Sequence, residues 1–179
     1  MQDQVTVLFT RRRRNPISWL IRWAMPRSRF AFALSSHAII VAGGICYEAN
    51  MIHGVRKGAR AVILDGQTVV RERTYRVTDL AAGTRWGDQQ LCSYRPQLPA
   101  WVPSWLQAAL GTVLRILNSN YDWRGALGLG LAPGRDWAEE DVFFCYEFVA
   151  AFLRACGRDE FADLSHVGET ALLAISPGF

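Results

Sequence analysis

The chain has 179 residues, 50% of them hydrophobic, and a formal charge of +4, so there is enough apolar material for one cored domain. Its four cysteines, Cys46, Cys92, Cys145 and Cys156, stand at irregular spacings that exclude a CxxC zinc pattern and a dense disulfide framework. Its three histidines, His37, His53 and His166, lie far apart with no HExxH-type spacing, so neither a metal nor any other cofactor is implied.

Gln4 to Thr10 (QVTVLFT) reads as a first strand. Positive charge then gathers: Arg11 to Arg14, Arg22, Arg27 and Arg29 fall in the first thirty residues against Asp3 alone. This basic segment, 11–30, suits an anionic polymer or a membrane surface, and equally a plain solvated loop. It has no nucleic-acid motif, aromatic platform or zinc finger beside it, so no specific nucleic-acid partner is expected. Within it, Asn15 to Met25 reads as a short helix, with Asn15 as N-cap, Pro16 at the first helical position and Pro26 closing it. Ile17, Leu20, Ile21 and Ala24 form its apolar face, widened by Trp19 and Trp23; core packing is the commoner fate of such a face and a membrane surface the alternative. Arg22 interrupts the hydrophobic run and no small-residue cleavage site follows, which makes it a poor signal peptide, and it is too short to span a bilayer. Synthesis in the cytoplasm is the expectation; a target in the periplasm or cell wall then requires lysis, a phage particle or secretion machinery for delivery.

Ala38 to Ala42 and Ile45 to Glu48 read as a hairpin turning at Gly43-Gly44. Ala61 to Leu64 and Thr68 to Val77 read as two more strand-like runs around a turn at Asp65-Gly66. Ser104-Trp105-Leu106-Gln107 has the capping-box pattern and opens a helix expected to reach about Asn118. The Gly-rich stretch from Leu127 to Pro133 lacks the GxxxxGK[ST] signature and reads as a loop, not a phosphate cradle. Asp136, with Glu139 three positions on, fits the cap of one more short turn. In FFCYEFVAAFLRACG, Phe144, Phe148, Ala151, Phe152 and Ala155 recur at three and four, and Gly157 supplies a stop. Strands in the first half and helices in the second predict an α+β fold, an antiparallel sheet packed against helices. No internal repeat or low-complexity linker divides the chain, so 1–179 is read as a single domain.

Cys145 falls in the first turn of that last helix. A thiol there meets the positive end of the helix dipole and unpaired backbone N–H groups, which favour the thiolate; the plainer reading is a small buried core residue. His37 opens the strand HAIIV, and Glu48 lies eleven residues on, across the Gly-Gly turn. Adjacent antiparallel strands can bring the two side by side, and a carboxylate beside a histidine fixes its tautomer and stabilises its imidazolium. Each residue alone has a structural explanation; their conjunction with Cys145 suggests a nucleophile, its base and an orienting acid.

Taken in order, SSHAIIVAGGICYEA, GVRKGA, NYDWRGALG and FFCYEFVAAFL resemble the circularly permuted branch of the NlpC-type papain-like cysteine peptidases, the YiiX/YaeF-like group, in which the histidine strand precedes the cysteine helix. His37, Glu48, Gly54, Val55, Tyr121, Asp122, Cys145 and Glu147 match its pattern, over roughly residues 4 to 156. Tyr146 departs from it, standing where that family favours Ser. The resemblance implies a single-domain permuted papain-like fold with Cys145 as nucleophile at a helix N-terminus, His37 as general base and Glu48 orienting the histidine. It also implies that the Tyr121 hydroxyl assists the Cys145 backbone N–H in holding an oxyanion. The expected activity is that of a cysteine hydrolase cleaving an amide bond, with peptidoglycan peptides as the usual substrate of the superfamily and no cofactor. Two alternatives stay open at this point. One is a lipid acyl hydrolase or acyltransferase acting on an acylated substrate, for which the tryptophans Trp101 and Trp105 would also serve; the other is a non-catalytic binding or structural protein that keeps the same shell.

Overall fold

The computed structural model describes residues 3–12, 34–50, 53–91, 102–107, 110, 143–161 and 167–178. Five strands form one antiparallel sheet: β1 (Asp3–Arg11), β2 (His37–Ala42), β3 (Ile45–Asn50), β4 (Gly54–Gly58) and β5 (Thr68–Val77), in the order β4-β3-β2-β1-β5. Helices α1 (Arg60–Ile63), α2 (Leu80–Gln89), α3 (Cys145–Ala155) and α4 (Glu169–Ala174) accompany it, with a 3-10 turn at Asp159–Phe161 after α3. The α+β expectation holds at this level of description.

The β2–β3 hairpin turns where expected, because Gly43 and Gly44 both take positive φ, 57° and 81°, as a two-residue hairpin turn requires. The strand expected over Ala61 to Leu64 is not one. Most of it forms α1, in which the Val62 and Ile63 N–H groups donate to the Ala59 carbonyl. The reason is topological: the preceding segment GVRKG pairs with β3 as the edge strand β4, while β5 lies at the opposite edge. The chain has to leave one edge and cross the sheet to reach the other, and α1 lies on that crossing. It seals a small cluster in which Ile63 packs with Leu8, Ile39 and Cys46.

The larger core joins Val5, Val7, Phe9, Ala38, Ile40, Tyr47 and Tyr75 of the sheet to Phe148, Val149, Phe152 and Leu153 of α3. Phe148 and Phe152 are fully buried, and burial on that scale stabilises by about 1.5–3 kcal/mol for each such side chain. They extend into an aromatic cluster with Trp86 of α2 and Phe143. α3 ends in a Schellman motif, as its glycine suggested. Gly157, at φ 87°, donates to the Arg154 carbonyl and Arg158 to the Leu153 carbonyl.

Residues 104–107 are helical as expected, but the capping box is not centred on Ser104. The Gln107 N–H donates to the Pro103 carbonyl and its side chain to the Val102 carbonyl, so Ser104 already lies inside the helix. The sequence reading also passed over α2, which Asp79 caps by accepting the Ala82 N–H at 2.7 Å. The expectations for Asn15 to Met25, for the helix end near Asn118, for Leu127 to Pro133 and for Asp136 with Glu139 lie outside the described residues. Among the described residues, no helix is long and apolar enough to cross a membrane.

Candidate active site

His37 is the first residue of β2 and Cys145 the first of α3, so strand start and helix start meet. The imidazole has two side-chain neighbours that act on its charge. Its Nε2 lies 2.5 Å from Glu48 Oε2, and Cys145 at the start of α3 is near enough to raise the imidazole pKa through hydrogen bonding and charge. Continuing the β2–β3 register from Ile40↔Tyr47, Glu48 stands two positions from the residue opposite His37. That is a diagonal neighbour on the same side of the pleat, within reach of long side chains.

The charges of this group are mutually dependent. Burial is the largest single influence on His37 and pulls its pKa down, but the hydrogen bonds and negative charge of Cys145 and Glu48 together outweigh it, lifting the imidazole from 6.5 to about 10. His37 is therefore an imidazolium at neutral pH. Desolvation pushes the Glu48 carboxyl up, yet the hydrogen bond and charge of His37, reinforced by Arg56, hold it down at about 2. The Glu48 side chain has no solvent exposure, so an unpaired charge there would be costly.

Arg56 satisfies the other carboxylate oxygen, with Nε and Nη2 each 2.5 Å from Glu48 Oε1. It stands directly opposite Glu48 in the β3–β4 register. The sequence reading missed it as a site residue. The signal was present in principle: once GVRKG is recognised as the return strand of a short hairpin, Arg56 faces Glu48.

Glu147, three residues into the segment, does not join this group. Its Oε2 accepts the Phe144 N–H at 3.3 Å and so caps the start of α3. A second polar cluster lies beside the first and was also missed: Ser35, Tyr146 and Glu169, all buried, with Tyr146 and Glu169 each hydrogen-bonded to Ser35. Tyr121, the expected oxyanion donor, and His166 lie outside the described residues; His53 is exposed in the turn before β4. Trp105 is 72% exposed, and Trp101 is outside the described residues.

Burial pushes the Cys46 thiol up and, with the charge of Asp79 adding to it, the Cys156 thiol up to about 12. Cys46, Cys145 and Cys156 are all unbridged. Among the described residues, no group of three His, Cys, Asp or Glu side chains is placed to hold a metal ion. A cavity of about 640 Å³ lined in part by Arg76, Arg158 and Glu160 shares no residue with the site.

The chain matches no family model, no curated protein and no solved structure.

Proposed function

We propose that the protein is a cysteine hydrolase of the permuted papain-like, NlpC type, cleaving an amide bond in peptidoglycan peptides. The observation that carries this reading is the shared imidazole: Glu48 on Nε2, Cys145 near enough to the same ring to raise its pKa, and the thiol at the first position of a helix. The order of the elements supports it, because the histidine strand precedes the cysteine helix and an antiparallel sheet packs against that helix.

The steps follow from the charges. His37 as imidazolium is the counter-ion of a Cys145 thiolate, which attacks the amide carbonyl carbon. The developing oxyanion is met by the Cys145 backbone N–H, which at the first helical position has no intrahelical acceptor, and by the Tyr121 hydroxyl in the role the resemblance gives it. His37 then passes its proton to the departing amine as the C–N bond breaks, leaving a thioester. Neutral His37 takes a proton from water, the hydroxide displaces Cys145 sulfur from the carbonyl, and the acid product leaves with the imidazolium–thiolate pair restored. Glu48 keeps the ring oriented through both steps and is itself held by Arg56.

Purified peptidoglycan, digested with the wild-type chain and with Cys145→Ala and analysed by mass spectrometry, tests the reading. The expected result is amide cleavage by the wild type and a loss of about 10³-fold or more in the variant. Cleavage of acyl esters or acyl lipids in place of amides would move the substrate to the acyl-hydrolase alternative, and unchanged turnover in Cys145→Ala would remove the nucleophile.

A further inference from the structure

Two residues before His37, Ser35 is fully buried, and its hydrogen bonds lead away from the sheet. Its N–H donates to Glu169 Oε2 at 2.9 Å and its hydroxyl donates to the same oxygen at 2.8 Å. A serine hydroxyl has one proton, and this bond uses it. The 2.8 Å contact between Ser35 Oγ and the Tyr146 hydroxyl therefore has Tyr146 as the donor. The result is a directional chain, Tyr146 to Ser35 to Glu169, with its ends on the residue after Cys145 and on the first residue of α4. The other Glu169 oxygen faces Arg71 Nη1 at 3.7 Å.

The anchor of this chain is itself fixed. The Tyr75 hydroxyl donates to the Leu172 carbonyl at 2.5 Å, and Arg73 donates to the Ile175 carbonyl at 2.6 Å, so β5 holds both the body and the end of α4. The Pro177 carbonyl then accepts the Arg76 N–H at 3.0 Å, and the Ser176 carbonyl accepts from Arg158 at 2.6 Å. Glu169 is thereby delivered to the site from a segment more than a hundred residues from β2 in sequence.

Resting on the reading of Cys145 and His37 as nucleophile and base, we infer that Glu169 is a positioning residue that sets the separation of that pair, acting through Ser35 and Tyr146. The physical need is plain. α3 meets the sheet through apolar contacts, which are non-directional and do not by themselves set the separation of one side-chain pair. A thiol and imidazole acting as nucleophile and base need that separation fixed, and a misplacement of about 1 Å at a reacting centre costs about 10²-fold. The buried Tyr146–Ser35–Glu169 chain supplies direction on the two segments that carry the pair, one residue from Cys145 and two from His37. The same reasoning accounts for Tyr146 standing where the resembling family favours Ser, since only a side chain of that length with a terminal hydroxyl makes this bond.

The test follows the His37 imidazole through a pH titration by NMR in the full chain, for wild type, Glu169→Gln, Glu169→Ala and Tyr146→Phe, together with thermal melting. Wild-type His37 is expected to titrate at about 10. Glu169→Gln keeps a carbonyl acceptor for Ser35 and is expected to leave that midpoint in place. Glu169→Ala and Tyr146→Phe are expected to lower it, because the ring loses the close approach of Cys145 while its burial remains. A Glu169 that only stabilises the fold would lower the melting temperature of Glu169→Ala and leave the midpoint unmoved, and that result overturns the inference. Should Glu169→Ala fail to fold, Tyr146→Phe decides alone, since it removes one oxygen and keeps the buried ring. A wild-type midpoint near 6.5 would instead overturn the pairing of Cys145 with His37 on which the inference rests.

Discussion

Glu48 Oε2 lies 2.5 Å from His37 Nε2 across a diagonal of the β2–β3 hairpin, while the other oxygen of the same buried carboxylate is held by Arg56. One acid thus serves two cations on neighbouring strands. Glu48→Gln removes the negative charge and leaves His37 and Arg56 without their shared counter-ion. Breaking one partner out of a buried pair costs about 3–5 kcal/mol, and a loss of unfolding free energy of that order, read from a lower urea midpoint, is expected. The alkaline limit of activity, set by loss of the His37 proton at about 10, is expected to move to lower pH because the hydrogen bond and charge of Glu48 no longer raise that pKa. A pH–rate profile with the same alkaline limb in both proteins would contradict the orienting role of Glu48.

Acid stability follows from the same carboxylate with a definite sign. The Glu48 pKa is lowered from 4.5 to about 2, so the folded state holds the ionised form more strongly than the unfolded chain does. Its contribution is complete above 4.5 and is lost as the pH falls through the interval down to about 2. Urea midpoints measured from pH 6 to about pH 2 are expected to drop across that interval in the wild type and to drop less steeply in Glu48→Gln, which has no proton to take up there. Parallel curves for the two proteins would show that other carboxylates carry the acid transition.

The part of this site that was legible in the sequence is the part made by local signals. Gly43-Gly44 marked the hairpin that brings Glu48 to His37, and the three-and-four spacing with Gly157 marked the helix that begins at Cys145. Ala61 to Leu64 was misread because four apolar residues have too little length for periodicity to separate strand from helix, and the crossing from β4 to β5 decided the matter. Arg56 was missed because GVRKG is too short and polar to announce a strand. Ser35 and Glu169 are 134 positions apart, and a contact at that separation leaves no trace in any local pattern.

Arg56 provides a test that separates bracing from charge. Its guanidinium puts two nitrogens on one Glu48 oxygen, a geometry that a lysine ammonium cannot reproduce. Arg56→Lys is expected to keep most of the stability, because the charge remains, and to lower kcat/KM by about tenfold through a less firmly held Glu48. Arg56→Leu removes the charge as well and is expected to destabilise further, although the partial exposure of the side chain moderates the cost. Equal kcat/KM in wild type and Arg56→Lys would reduce Arg56 to a plain counter-charge.

The helix that carries Cys145 is also placed by what is absent from the surface it packs on. Gly83 and Gly87 lie one turn apart on α2, and a Cβ on Gly83 would stand 2.0 Å from Cys156 Sγ and 3.2 Å from the Phe152 ring. Cys156 and Phe152 are both fully buried, so Gly83→Ala has to be accommodated by turning these side chains within the core or by moving α2 off α3. Overpacking of this kind costs about 1–3 kcal/mol, against a gain of at most about 1 kcal/mol from the better helix propensity of alanine. The net expectation is a lower urea midpoint. Cys156→Ala keeps the Cβ, which would lie 3.5 Å from the new methyl, and removes the sulfur that clashes. In a double-mutant cycle the two substitutions are therefore expected to couple favourably by about 1 kcal/mol, with recovery incomplete because the Phe152 contact persists. Strict additivity in that cycle would place the cost of Gly83→Ala somewhere other than this α2–α3 contact.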